Sequence, residues 1–394
     1  MTSKNPMGRG MMIERDRSAG AGGRIGALSL AHLFNDWYMN MIQTLLPFFV
    51  AAGLGIGRGA FLVSAFTTTS SLLQPIFGYL ADRRGQRWIV YVGTAWMALL
   101  LGLLGVTDNY ALLVALALLS GLGTAAFHPQ AAAMVGSLAG SRKGFHLSVF
   151  SAAGNIGWAL TPLVVVPLVK RFGLGISPLF IVPGLVVAVL LWLAAPRVPA
   201  RQAAAPEPLW PALRTAWPEL LKVVLVVSLR SLAYFGLIAF LPLLLQERGV
   251  PITRGGQMLF LMLFAGAIGG LVGGVLSDRL GRRPVVGVSL ALSTPLFLWF
   301  LASDGPWALV LLCLAGGALL ASFSVTVAMA QELISRNAAI ASGLTLGFGI
   351  GIGGLGVGLV GVYIEHAGLA AAVTMLAWCP LAAALPTLFM RSAR

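Results

Sequence analysis

A histidine, an asparagine and an aspartate stand inside an apolar run, LAHLFNDWYM at 30–39. On one helix His32 and Asp36 are four apart and share a face, which sets an imidazole and a carboxylate one turn from each other. Such a pair can bind and release a proton, as coupling to an ion gradient requires, or it can be a structural hydrogen bond. Farther along, Gln74 precedes Pro75 and His128 precedes Pro129. A proline removes a backbone donor and frees a carbonyl, so each of these polar side chains either works in a site or satisfies the kink beside it. Arg230 stays charged even when buried and cannot carry a coupling proton. Its planar fork of donors either holds an anion or neutralises Asp36. Glu332, beside Gln331, is either a further coupling group or the partner of Arg336 one turn on. Asn35, Tyr38, Gln43, Asn155, Trp158 and Tyr234 are further polar side chains within apolar segments that could line a cavity.

These residues need elements that keep charge away from bulk water, and the composition supplies them. With 58% hydrophobic residues, 10% charged residues and a mean hydropathy of +0.91, the chain is built for lipid. Crossing a hydrocarbon core of about 30 Å takes roughly 20 apolar helical residues. That length recurs near 26–50, 58–80, 88–106, 110–136, 144–169, 175–195, 219–246, 255–279, 284–302, 306–334, 340–364 and 368–390, which predicts twelve spans. Nothing alternates as barrel strands would. At about 1.5 Å per residue, Asp36 and Arg230 lie roughly 15 Å from the ends of spans one and seven, and His128 about 12 Å from the end of span four. A charge near mid-membrane costs about 2.5–3.5 kcal/mol on insertion scales, so it faces a water-filled cavity or a partner.

The net charge of +14 invites a nucleic-acid reading, but the charges sit in short loops. Arg58, Lys170, Arg171, Arg248 and Arg254 fall on one side and Arg230 within a span. The other 20 of the 26 Lys and Arg residues fall on the opposite side, with both termini. That asymmetry orients the chain with its termini in the cytoplasm, and the basic excess is a topology signal with some attraction to anionic lipid. The first 25 residues lack an apolar signal core, so they read as a disordered cytoplasmic tail, with span one as its own insertion signal. Cys313 and Cys379 fall inside spans and read as small apolar residues.

The chain repeats itself. GYLADRRGQR at 78–87 and GVLSDRLGRR at 274–283 are 196 apart, Pro47 and Pro242 are 195 apart, and Gly121 and Phe127 match Gly317 and Phe323. Two six-span halves, 26–195 and 219–390, are therefore joined by a Pro- and Ala-containing cytoplasmic linker at 196–218, with 391–394 as a short cytoplasmic end. The repeated loop, Gly78, Asp82, Arg83, Gly85 and Arg87 in one half and Gly274, Asp278, Arg279, Gly281, Arg282 and Arg283 in the other, resembles the signature of the major facilitator superfamily. SLAHLFND, SSLLQPIFGYLADRRG, FHPQAA, GNIGWALTPL, AQEL and SGLTLGFGIGIGGLGVGLVG are similar to segments of the fosmidomycin resistance proteins within it. Gln86 departs from the signature, which wants Arg there.

The resemblance implies an all-α membrane protein of twelve helices in two pseudo-symmetric halves around a central cavity. It implies a proton-coupled antiporter of the inner membrane that exports drug-like or anionic, phosphonate-like compounds by alternating access and so confers antibiotic resistance. A metabolite importer and a non-transporting receptor on the same fold remain the alternatives. The signature aspartates end spans two and eight, where a helix dipole disfavours an anion. They are expected instead to cap the starts of spans eleven and five, near Ala338 and Gly144, as an inner gate, with the arginines pairing with acids or lipid headgroups. A short basic loop is the plainer reading.

Span eleven carries nine glycines between Gly343 and Gly361. Gly349, Gly351 and Gly354 spell a dinucleotide fingerprint, but no strand precedes them and the match is rejected. Gly343, Gly347 and Gly351 form a small-residue face, either a moving interface or tight static packing. No ATP loop, zinc-protease motif or nucleophile elbow occurs. The expectation is a non-enzyme without cofactor or metal, acting as a monomer on protons and a small-molecule substrate in a lipid bilayer, with no nucleic-acid partner.

Overall fold

The computed structural model describes residues 6–84, 87–139, 143–196, 209–334, 341 and 343–390, with side chains from residue 21 onward except at 79, 81–84, 143–145, 209, 210 and 212. Among the described residues all regular structure is helical. Span one is Pro6–Met39 continued by Met41–Ala51, and span two is Ile56–Leu72 continued by Gln74–Arg84. Spans three to five are Trp88–Gly102, Tyr110–Leu138 and Lys143–Phe172. Span six enters through a 3-10 turn, Leu174–Phe180, before Ile181–Ala194. Leu209–Glu247, Ile252–Leu280 and Arg282–Leu301 are spans seven to nine. Span ten is Gly305–Ala321 with Phe323–Leu333. Span eleven is a π-helical turn, Gly343–Gly349, with Ile350–Ala367, and span twelve is Leu369–Leu388. The eleven from Ile56 onward have the length and hydropathy to cross a membrane.

Two boundaries differ from the sequence reading. The first helix starts at Pro6, inside the segment read as a disordered tail, because MMIERDRSA is rich in residues that favour helix. The helix of span seven starts at Leu209, inside the linker, and runs through Pro218.

The repeat extends to backbone detail. Gly53 and Gly249 turn the chain after spans one and seven with φ of 97° and 80°, and Gly173 and Gly368 do so after spans five and eleven with 77° and 83°. A Cβ is strained in that left-handed region. The last arginine of each signature also closes its own half. Arg87 donates to Ala195 O at 3.5 Å and Arg283 to Met390 O at 2.9 Å, each at the carbonyl end of that half's final span. Cations are favoured there, and neither arginine needs the acid or headgroup expected for it.

Span eleven lies between spans two and seven, and its glycines divide between them. Gly343 and Gly347 meet Pro75, Gly351 meets Leu72, Gly354 meets Thr67, Gly358 meets Ser64 and Gly361 meets Ala60, all on span two. Gly349, Gly353 and Gly356 meet Val227, Ser231 and Leu232 on span seven. Ser64 Oγ donates to Gly354 O at 2.7 Å and accepts from Gly358 N at 2.8 Å, a bond made only because no side chain separates the backbones. A Cβ on Gly354 would lie 2.7 Å from Thr67 Cβ. Gly354→Val is therefore expected to cost about 1–3 kcal/mol through overpacking, seen as a lower melting midpoint of the purified protein in detergent.

The halves also meet where span five passes spans seven and eight. Trp158 packs on Tyr234 and Phe235 with ring centroids 6.1 and 5.9 Å apart, and Gly256 faces Pro162 and Val166. Near the signature loops the first half keeps a core of its own, with Ile25, Leu28, Val90, Phe127, Met134, Phe150 and Leu191.

Candidate functional site

Asp36 lies on the buried side of span one, a turn before the break at Asn40. The break itself is held from span five, with Asn40 Nδ2 donating to Trp158 O at 3.0 Å. As its spacing predicts, His32 faces Asp36, with Nε2 3.5 Å from Oδ2. The structure then adds His128 of span four, whose Nε2 lies 2.9 Å from Asp36 Oδ1. Both imidazoles are fixed from behind: His32 Nδ1 is 2.7 Å from Phe150 O and His128 Nδ1 is 3.0 Å from Thr124 O. The His32 ring stacks on Phe150 at 4.0 Å and 14°, and more loosely on Phe127. Gly154 of span five closes one side, since a Cβ there would fall 2.5 Å from Asp36 Oδ2 and 2.6 Å from His32 Cε1. The Asp36 and His128 side chains keep 14% and 22% of their surface exposed, so the cluster is not fully enclosed.

His128 uses both of its ring nitrogens. Nδ1 turns back to the carbonyl four residues earlier, beside the gap left by Pro129, and Nε2 reaches Asp36. Gln74 does only the first of these, donating from Nε2 to Ser70 O at 3.0 Å beside Pro75. A side chain before a proline is well placed to bond the preceding turn.

Arg230 is 2% exposed and lies in the matching place of the second half. Its guanidinium sits 4.8 Å from the ring centre of Phe323, the counterpart of Phe127 in the repeat. Nε finds no hydrogen-bond partner, and among the described residues no carboxylate pairs with it. A direct Arg230–Asp36 pair is thus absent there, because Asp36 is already held by two imidazoles of its own half. A cation–π contact engages the face of the guanidinium and not its in-plane donors, and among the described residues Nε stays unpaired.

Other expected residues go elsewhere. Tyr38 is buried and its hydroxyl donates to Phe180 O, which makes it a tie between spans one and six instead of a cavity residue. Asn35 Oδ1 accepts from Thr124 Oγ1 at 2.5 Å, while its Nδ2 has no partner. Gln43 is 2% exposed with Oε1 unpaired. Trp158 is buried with an unpaired Nε1, Tyr234 is half-buried against it, and Asn155 is exposed one residue beyond Gly154.

Glu332, read as a coupling group or as the partner of Arg336, meets an arginine of the second signature. It accepts from Arg282 Nε at 3.2 Å at the signature end of span ten, with half-buried Gln331 beside it. Asp278, expected to cap span five, pairs with Arg282 at 2.6 Å across the turn at Gly281, where the chain reverses from span eight into span nine. Arg279 is exposed, Gly274 and Gly78 pass close to Ser324 and Pro129, and Gly281 turns at φ 90°. The side chains of Asp82 and Arg83, together with Gly85, Arg336 and Ala338, lie outside the described residues. Thr124, Phe150 and Gly154 were not legible as site residues; only FHPQAA, just after Thr124, and GNIGWALTPL, which begins at Gly154, marked the neighbourhood.

Two repeated six-helix halves, with buried ionisable groups on the first span of each, are the architecture of a multi-pass membrane transporter. The chain belongs to the Major Facilitator Superfamily, whose family model matches residues 28–357 and 223–392. It is 29% identical over 382 residues to the fosmidomycin resistance protein of Escherichia coli (strain K12), covering 93% of this chain and 92% of that one. It is 28% identical to the uncharacterized MFS-type transporter YfnC of Bacillus subtilis (strain 168), covering 90% and 89%. Among solved structures, the nucleoside transporter NupG matches with a TM-score of 0.76 at 15% identity, covering 95% of this chain and 99% of that one. A bacterial homolog of the human lysosomal transporter Spinster, inward-facing and unoccupied, matches with a TM-score of 0.74 at 17% identity, covering 94% and 95%. The protein is a transporter and not an enzyme.

Proposed function

We propose that this protein is a proton-coupled antiporter of the cytoplasmic membrane that exports small anionic, phosphonate-like compounds by alternating access. The observation that carries the reading is the division of labour between the halves. The first half holds a carboxylate between two imidazoles, and the second holds a buried guanidinium that no acid neutralises among the described residues.

Hydrogen-bond accounting supports a proton at the first site. A carbonyl oxygen only accepts, so both Nδ1 atoms carry hydrogen and both Nε2 atoms face the carboxylate. The 2.9 Å contact between His128 Nε2 and Asp36 Oδ1 then needs one proton between two acceptors. This proton is additional to those of neutral imidazoles and an ionised carboxylate. Rocking of the halves, with the contacts of Trp158 and Gly256 released and the signature loops brought together, would expose the cluster to the other side. The similarity to a fosmidomycin resistance protein favours an anionic drug-like cargo and outward transport.

The test is the sensitivity of a deletion strain across a drug panel that includes fosmidomycin, with and without an uncoupler. Expected is uncoupler-sensitive protection against anionic drugs. Unchanged sensitivity with cargo accumulating inside would point to an importer. Orientation has its own check. Cysteine replacing Gly85 is expected to stay unlabelled by an impermeant thiol reagent in intact cells and to react after permeabilisation. Labelling of intact cells would reverse the topology.

A further inference from the structure

Zinc bound by nitrogen and oxygen ligands at about 2.0–2.1 Å in a tetrahedron keeps those ligands roughly 3.3 Å from one another. In this protein Asp36 Oδ1 is 2.9 Å from His128 Nε2 and Asp36 Oδ2 is 3.5 Å from His32 Nε2, and one donor atom from each of the three residues lies within 4.8 Å of the others. Both imidazoles hold their Nδ1 against backbone carbonyls, which directs the Nε2 lone pairs inward and fixes the tautomer that a metal needs. The His32 ring is also held in orientation by the Phe150 stack. Two histidines and a carboxylate suit zinc and its neighbours over magnesium or calcium, and three protein ligands leave a fourth position free. Asp36 and His128 are not fully enclosed, with 14% and 22% of their side-chain surface exposed.

We propose that His32, Asp36 and His128 form a binding site for a divalent transition-metal ion of the zinc type, with its fourth coordination position left to water or a bound anion. The ligands come from spans one and four only, so the site is complete within the first half. It does not depend on the coupling role given to Asp36 above.

The experiment uses the full chain, purified in detergent with any affinity tag removed, titrated with Zn2+ alone and separately with Co2+ alone. Expected are one ion per chain and the visible absorption of four-coordinate Co2+, with at least a tenfold loss of Zn2+ affinity in His32→Ala and in His128→Gln. The glutamine variant keeps size and polarity, and an unchanged melting curve certifies its fold. His366→Ala, which removes an exposed imidazole elsewhere, is expected to bind as the parent does. No saturable binding in the parent, or equal affinity in the parent and a folded His128→Gln, would overturn the proposal. Proton-driven cargo movement is measured in vesicles without metal. Its failure counts against the coupling reading, and failure of metal binding leaves that reading untouched.

Discussion

Asp36→Asn is expected to reduce cargo movement driven by a pH gradient to background while the protein still inserts and folds. The amide has nearly the size of the carboxylate, and its Nδ2 can donate to the Nε2 lone pair of His128, so the 2.9 Å contact has a neutral replacement. What is lost is the exchangeable proton. A group that cannot alternate between protonated and charged forms as the cavity changes sides cannot tie cargo movement to the gradient. Reconstituted vesicles given a pH jump are expected to show no driven flux, while exchange of labelled for unlabelled cargo at equal pH continues. Undiminished driven flux would make Asp36 a structural hydrogen-bond partner of the two histidines. The same measurement on His128→Asn separates their contributions, because that change leaves the His32 contact at 3.5 Å as the remaining partner.

Arg230→Lys is expected to lower the affinity for a phosphonate cargo by about tenfold or more, the equivalent of about 1.4 kcal/mol. The lysine keeps the charge but not the planar fork that meets two oxygens at once. Nor does it retain the flat face that Arg230 lays on Phe323 at 4.8 Å. Binding measured by competition at constant pH is the direct readout, and near-normal affinity would reduce Arg230 to a provider of positive charge. Arg230→Gln combined with Asp36→Asn makes a second check. Restored folding and cargo binding there would make the arginine a counter-ion acting across the cleft, despite the lack of a direct pair.

Much of the fold was legible because the bilayer reduces it to a periodic problem. Apolar length gave the spans, and the 195- and 196-residue offsets gave two halves of one design. The positive-φ glycines at 53 and 249 and at 173 and 368 follow the same offset. The small-residue face of Gly343, Gly347 and Gly351 was also readable, since four-residue spacing puts them on one side of a helix. Its second face, Gly349, Gly353 and Gly356 against span seven, was not, because composition does not say how many neighbours a helix has.

The site divides in the same way. The facing of His32 and Asp36 follows from helix geometry within one span, and so was fixed by sequence alone. Whether His128, 92 residues farther on, turned its second nitrogen to Asp36 depended on the rotation of span four against span one. Packing sets that rotation through contacts such as Thr124 with Asn35, which no spacing reveals. The same rotation sends Tyr38, two residues past Asp36, to span six, and the end of span ten sends Glu332 to Arg282. Sequence determined which polar groups fall within apolar spans and how far along each span they stand. Tertiary structure decided which of them meet, because helical periodicity orders the faces of one span while the close fit of many spans selects the partner of each face.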